Sequence, residues 1–191
     1  KTLSVTLNLA GKHNISNALA AASMAIVLGC DLTTISQGLH SLNEVAGRVN
    51  STLVNENLTL IDDSYNANSA SLKAAIDLLE QCSGEKTLIF ADMGELGKYS
   101  EQEHRIVGSY AAEKGVNNLL TVGTFSEFTN QSFNKLSKNS GLHFIDKNTL
   151  KEHLKIYLQQ NSNEKMTILV KGSRGTKMEE IVTFIKQPKI G

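Results

Sequence analysis

Apolar and polar positions change their period along the chain, and the changes mark its organisation. Residues 2–11, TLSVTLNLAG, alternate as a half-buried strand does. Asn14–Gly29 is an alanine-rich run ending at a glycine and predicts a helix, and Thr33–Leu42 predicts a second, shorter one. From Arg48 two β-like runs, VNSTLV and LTLID, flank a turn at Asn55–Asn57 and predict an antiparallel hairpin. Strand-like runs then recur at Leu58–Asp62, Thr87–Ala91, Asn118–Val122, His143–Ile145 and Met166–Val170, each followed by a helical pattern. Helix 69–81 places Leu72, Ala75, Ile76 and Leu79 at i, i+3, i+4 and i+7, and helix 176–186 does the same with Met178, Ile181, Val182 and Ile185. Ser100 with Glu103, and Thr176 with Glu179, have the spacing of capping boxes. Repeated strand–helix alternation predicts an α/β fold, a doubly wound and mostly parallel sheet with an antiparallel edge hairpin, from about residue 45 to the end.

Composition narrows the class. The 191 residues are 40% apolar with 14 glycines and 20% charged, which excludes disorder, collagen and coiled coil. Lys plus Arg equals Asp plus Glu at 19 each, so no global field gathers nucleic acid or an anionic membrane, and any anion site is local. The longest apolar stretch, Ala18–Leu28, is interrupted by Ser23 and falls short of the roughly 20 residues that span a bilayer. Cys30 and Cys82 lack CxxC or Cys/His spacing and read as reduced, buried thiols of a soluble cytoplasmic protein. The first residue is Lys1, and the chain reads as a piece of a longer protein.

Ligands of such folds sit beyond the carboxyl ends of the strands, and here those ends hold Asp62–Asp63, Asp92, Gly123–Thr124, Asp146 and Lys171–Gly172. Neither GxxxxGK[ST] nor a GxGxxG after a strand occurs. LVKGSRG brings Lys171, Ser173 and Arg174 to a helix start, where a phosphate or carboxylate would offset two cations; a solvated basic turn is the plainer alternative. In IDDSYNANSAS, Asn66 and Asn68 serve as turn residues and Ser69 as N-cap, which leaves Asp63 and Tyr65 without a structural task. A carboxylate there accepts from ribose hydroxyls, and an Asn holds a polar substrate backbone. FADMGELG offers Asp92 and Glu95 either to a substrate ammonium or to the loop itself. GKHNISN packs a His and two Asn at a helix start, with Asn14 as the natural cap. The remaining histidines are scattered without ligand spacing, which argues against a metal site.

GKHNISN before an alanine-rich helix, Gly47–Arg48 before a strand, DDSYNAN, DMGELG, and KGSR with Met178–Glu179 just after it stand in the order found in the Mur ligases, which this sequence resembles over essentially its whole length. DDSYNAN with DMGELG is most similar to the branch that adds D-alanyl-D-alanine. The resemblance implies a Rossmann-like C-terminal domain over 45–191, with 1–44 the helical end of a central ATP-binding domain. It implies an ATP-dependent ligase of peptidoglycan precursor synthesis, acting on UDP-N-acetylmuramoyl tripeptide and D-alanyl-D-alanine through an acyl phosphate. ATP and Mg2+ would be held mainly by the absent part, so the fragment would be inactive alone. Arg48 would reach the γ-phosphate as the catalytic cation, Asp63 would accept from the ribose, and Asn14 and Asn17 would read the adenine side. Tyr65, Asn66, Asn68, Asp92, Glu95, Lys171, Ser173 and Arg174 would hold the dipeptide and the peptide end, with Lys171 or Arg174 on the free carboxylate. Ser69 departs from the family, which usually has Pro there. Two alternatives stand beside this: another Mur-type amide ligase, diaminopimelate-adding or folylpolyglutamate-type, and a receiver domain built on Asp62–Asp63, Asp92, Thr124 and Lys171. The receiver order fails at Asp92, which ends the second rather than the third strand of the series.

Overall fold

The computed structural model describes residues 2–9, 12–42 and 46–187. Its contacts group the chain into two compact units, Lys1–Val45 and Ala46–Gly191. The expected domain boundary at 44/45 lies in 43–45, outside the described residues, as does Gly11 of GKHNISN.

The first unit holds α1 (Lys12–Val27) and α2 (Leu32–His40). Asp31 caps α2, its side chain accepting from the amides of Thr33 and Thr34. Three expectations are corrected here. Residues 2–9 form no strand, and α1 starts two residues before Asn14, so Asn14 lies inside the first turn rather than at a cap. Cys30 is exposed and Cys82 half-buried, so the buried-thiol expectation fails for Cys30.

The second unit is a six-stranded sheet in the order β1-β2-β6-β3-β4-β5, from β1 (Asn50–Leu53), β2 (Leu58–Asp63), β3 (Glu85–Ala91), β4 (Asn118–Val122), β5 (Gly141–Phe144) and β6 (Met166–Lys171). β1 pairs antiparallel with β2, and every other pair is parallel. Alternation along the buried strands sorts the core onto two faces. Ile61, Leu88, Phe90, Leu119 and Leu169 pack with α3 (Ser69–Glu80), α4 (Ser100–Glu113) and α5 (Ser126–Leu136). Leu60, Ile89, Leu120 and Ile168 pack with α6 (Lys147–Gln160) and α7 (Glu179–Lys186). The doubly wound fold is as the periodicity indicates.

The expected capping boxes do not form. The Ser100 hydroxyl donates to the Gly97 carbonyl at 2.8 Å, and Glu103 receives the hydroxyl of Ser69 instead. Residues 174–176 make a 3₁₀ turn in which Thr176 donates to the Ser173 carbonyl at 2.6 Å, and α7 begins only at Glu179. The capping box that does form belongs to α3: Asn68 accepts from the Ser71 amide at 2.8 Å, and the Ser71 hydroxyl accepts from the Asn68 amide at 3.1 Å. Asn68, not Ser69, is therefore the N-cap. Asn, Ser and Thr all satisfy the spacing rule, and local packing decides which of them is used.

Candidate active site

β6 enters the sheet between β2 and β3, and the helix that follows it, α7, covers the face opposite α3 and α4. The carboxyl ends of these three strands are thus the switch point where open α/β sheets bind ligands. The ladder sets Asp63 beside Lys171, and the parity shared with Ile61 and Leu169 turns both side chains toward α3. The Lys171 ammonium pairs with the Asp63 carboxylate and donates to the Asn66 carbonyl at 3.0 Å. Lys171 is 2% exposed and Asp63 8%. Burial pushes the Asp63 carboxyl up, against the pull of Lys171 and the Val49 amide, with a smaller upward push from Asp62. Burial likewise pushes Lys171 down, against Asp63 and with help from Arg48. Each ion is sustained by the other, so removing either one costs about 3–5 kcal/mol. Asp62, of opposite parity, accepts from the Ser64 amide at 3.1 Å and its hydroxyl at 2.6 Å.

Gly47 brings the next cation in. Its φ is +75°, its carbonyl accepts from the Tyr65 amide at 2.9 Å, and a Cβ there would stand 2.9 Å from that nitrogen. The turn sets the Arg48 guanidinium 4.5 Å from the centre of the Tyr65 ring. Arg174 approaches the same ring at 5.6 Å, and its partner Glu179 lies at 3.1 Å in a solvent-exposed pair of small worth. Arg48, Tyr65 and Arg174 are all exposed. Two guanidiniums on one ring concentrate positive charge that a phosphate or carboxylate would neutralise.

Other expected ligands are occupied by the fold. Asp92 Oδ2 accepts from the Thr124 amide at 2.9 Å, Oδ1 accepts from those of Phe125 and Ser126 at 3.0 and 2.7 Å, and its carbonyl accepts from Ser173 at 3.1 Å. It holds the start of α5, and Gly123, with φ +128°, leaves the room: a Cβ would lie 2.5 Å from Asp92 Oδ1. A receiver acceptor or an ammonium ligand would need that carboxylate free. Asn66 Oδ1 accepts from the Ala67 amide at 2.9 Å. Glu95 stays exposed, with φ 61°. Ser173 is half-buried beside Gly94, which joins the loops after β3 and β6. In the first unit, Asn17 Nδ2 donates to Asn14 Oδ1 at 3.4 Å on α1. Among the described residues no group of three His, Cys, Asp or Glu side chains is placed to hold a metal.

The pattern of the family described as Mur ligase, glutamate ligase domain, matches residues 47–174. The chain belongs to the Mur ligase family. The matched span takes in Arg48, Asp63, Tyr65, Asp92, Lys171 and Arg174. The chain is 40% identical over 188 residues to the UDP-N-acetylmuramoyl-tripeptide–D-alanyl-D-alanine ligase of Escherichia coli (strain K12), covering 97% of this chain and 40% of that protein. A crystal structure of MurF from Acinetobacter baumannii superposes with a TM-score of 0.82 at 34% identity, over 96% of this chain and 40% of the other. MurF from Thermotoga maritima in complex with ADP shares the fold, with a TM-score of 0.71 at 22% identity over the same 96% and 40%. This Mur ligase chain therefore spans about 40% of the length of these relatives.

Two contributors to the site gave no sequence signal. Val49, at φ 57°, presents its amide to Asp63. His104 is fully buried between the rings of Phe90 and Phe125; its Nδ1 donates to the Ser100 carbonyl at 2.7 Å, and Nε2 accepts from the Met93 amide at 3.0 Å. It fixes the loop after β3, and burial pushes its pKa down, keeping the ring neutral. A single His on a helix carries no spacing by which either bond could be read.

Proposed function

We propose that this chain is the C-terminal part of an ATP-dependent ligase that joins D-alanyl-D-alanine to UDP-N-acetylmuramoyl tripeptide in peptidoglycan precursor synthesis. Residues 1–44 are then the end of the central ATP-binding domain and 45–191 the C-terminal domain. The observation that carries the reading is the Arg48–Tyr65–Arg174 cluster beside Asp63, at the switch point of a Mur ligase sheet. The motifs DDSYNAN and DMGELG and the names of the relatives support the choice of dipeptide.

In the proposed reaction the tripeptide carboxylate attacks the γ-phosphorus, ADP leaves, and the dipeptide amine then displaces phosphate from the acyl carbon. Every group gathered at the first step is anionic, and an exposed guanidinium aimed at the transferred phosphoryl lowers that cost. Arg48 takes this role. Asp63 takes the ribose hydroxyls, and Asn14 and Asn17 the adenine side. Bound Mg2+ would neutralise further phosphate charge, held by residues outside this chain. Arg174, the exposed cation of the KGSR loop, is the partner for the free dipeptide carboxylate, and exposed Glu95 for its ammonium. Asp92 and Asn68 serve by holding the loops. The proposed site of action is the cytoplasm; no helix among the described residues is long and apolar enough to cross a membrane.

Arg48→Ala in the full-length enzyme tests the assignment. Turnover should fall by about 10²-fold or more, with the melting temperature unchanged because Arg48 is exposed. Near-normal turnover would remove Arg48 from the mechanism.

A further inference from the structure

The Lys171 ammonium faces the protein interior rather than any open surface, and its polar partners are the Asp63 carboxylate, on the last residue of β2, and the Asn66 carbonyl, in the loop that follows. The far end of that loop is tied by the Asn68 cap of α3. Between these anchors stands Tyr65, whose ring carries Arg48 and Arg174. A dipeptide carboxylate would have to displace Asp63 to reach Lys171, whereas Arg174, three residues on, is already in solvent.

We infer that Lys171 is a positioning residue for the nucleotide: it orients the Asp63 carboxylate and fixes the 63–68 loop without touching either substrate. The nucleotide part rests on the reading of Asp63 as the ribose acceptor. The charged groups around the pair are Asp62 on β2 and Arg48 ahead of β1, and the β3 neighbour in register with Lys171 is the uncharged Phe90. Without Lys171 the strongest pull keeping Asp63 ionised is gone, so Asp63 takes up a proton at higher pH and nucleotide affinity gains an acid limb.

The test uses the full-length enzyme with Lys171→Met and Lys171→Arg, read by calorimetric affinity for ADP across pH, by KM for D-alanyl-D-alanine, and by hydrogen exchange of residues 63–68. Lys171→Met should weaken ADP binding about tenfold at neutral pH and more in acid, leave the dipeptide KM within about twofold, and speed exchange in the loop. Lys171→Arg should recover part of each loss. A raised dipeptide KM with unchanged ADP affinity would make Lys171 a substrate contact and overturn the inference, as would unchanged exchange in Lys171→Met. Should that variant not fold, the double variant Asp63→Asn/Lys171→Met removes both charges together, and wild-type loop exchange in it would equally overturn the inference. Asp63→Asn alone separates the two readings. Unchanged ADP affinity there ends the ribose assignment, while loop exchange still decides for or against Lys171.

Discussion

Tyr65 lies under the guanidinium of Arg48, 4.5 Å from ring centre to cation, while its own amide is bonded to the carbonyl of Gly47. Ring and backbone together therefore determine where the proposed phosphate-facing cation stands. Loss of the ring frees a long side chain whose ordering then has to be met during catalysis. In the full-length enzyme, Tyr65→Leu should lower kcat by about tenfold and Tyr65→Phe should keep most of it, because the attraction comes from the ring face. Equal rates for Leu and Tyr would separate the stack from turnover.

Asp92 predicts a stability effect rather than an affinity effect. Its carboxylate accepts three backbone amides at the start of α5, so Asp92→Ala leaves those donors without their charged acceptor. The cost should be about 2–3 kcal/mol, a fall in melting temperature of roughly 5–10 °C for a unit of this size. An unchanged melting temperature with a raised KM for D-alanyl-D-alanine would return Asp92 to the substrate.

His104 makes stability depend on pH with a definite sign. Its folded-state pKa lies below the ordinary 6.5 because burial opposes the imidazolium. The unfolded chain therefore takes the proton first, and the stability His104 contributes is whole above about pH 6.5 and is lost as pH falls below it. Half-buried His153, also pushed down by burial, acts in the same direction. Urea midpoints of the wild type should fall between about pH 7.5 and 5, and His104→Gln should flatten that fall. The same slope in both proteins would deny His104 its part.

The inner strands were legible as short apolar runs, buried almost throughout, and the α3 helix by its period, with Leu72, Ala75, Ile76 and Leu79 all reaching the core as spaced, whereas the alternating residues 2–9 form no strand. The cluster of motifs at the strand ends was legible too, since a doubly wound fold places its ligands there. Which of those residues remain free was not. Lys171 and Arg174 look alike in KGSR, yet the ladder turns Lys171 inward onto Asp63, and the 3₁₀ turn carries Arg174 out. Asp92 and Glu95 look alike in DMGELG, yet only Asp92 meets the amides of residues 124–126, a pairing across more than thirty positions. The failed capping boxes have the same origin: Glu103 has the right spacing from Ser100, but Ser69 of the neighbouring helix reaches it. Local rules name the candidates, and long-range pairing chooses among them.

The most direct measurement is phosphate release from ATP by the full-length protein, given UDP-N-acetylmuramoyl tripeptide with and without D-alanyl-D-alanine, with the 191-residue chain alone as control. The account predicts sustained release only when both substrates are present, and none from the chain alone. Sustained release with a different amine and none with D-alanyl-D-alanine would contradict the substrate assignment, and no release with any amine would contradict the ligase.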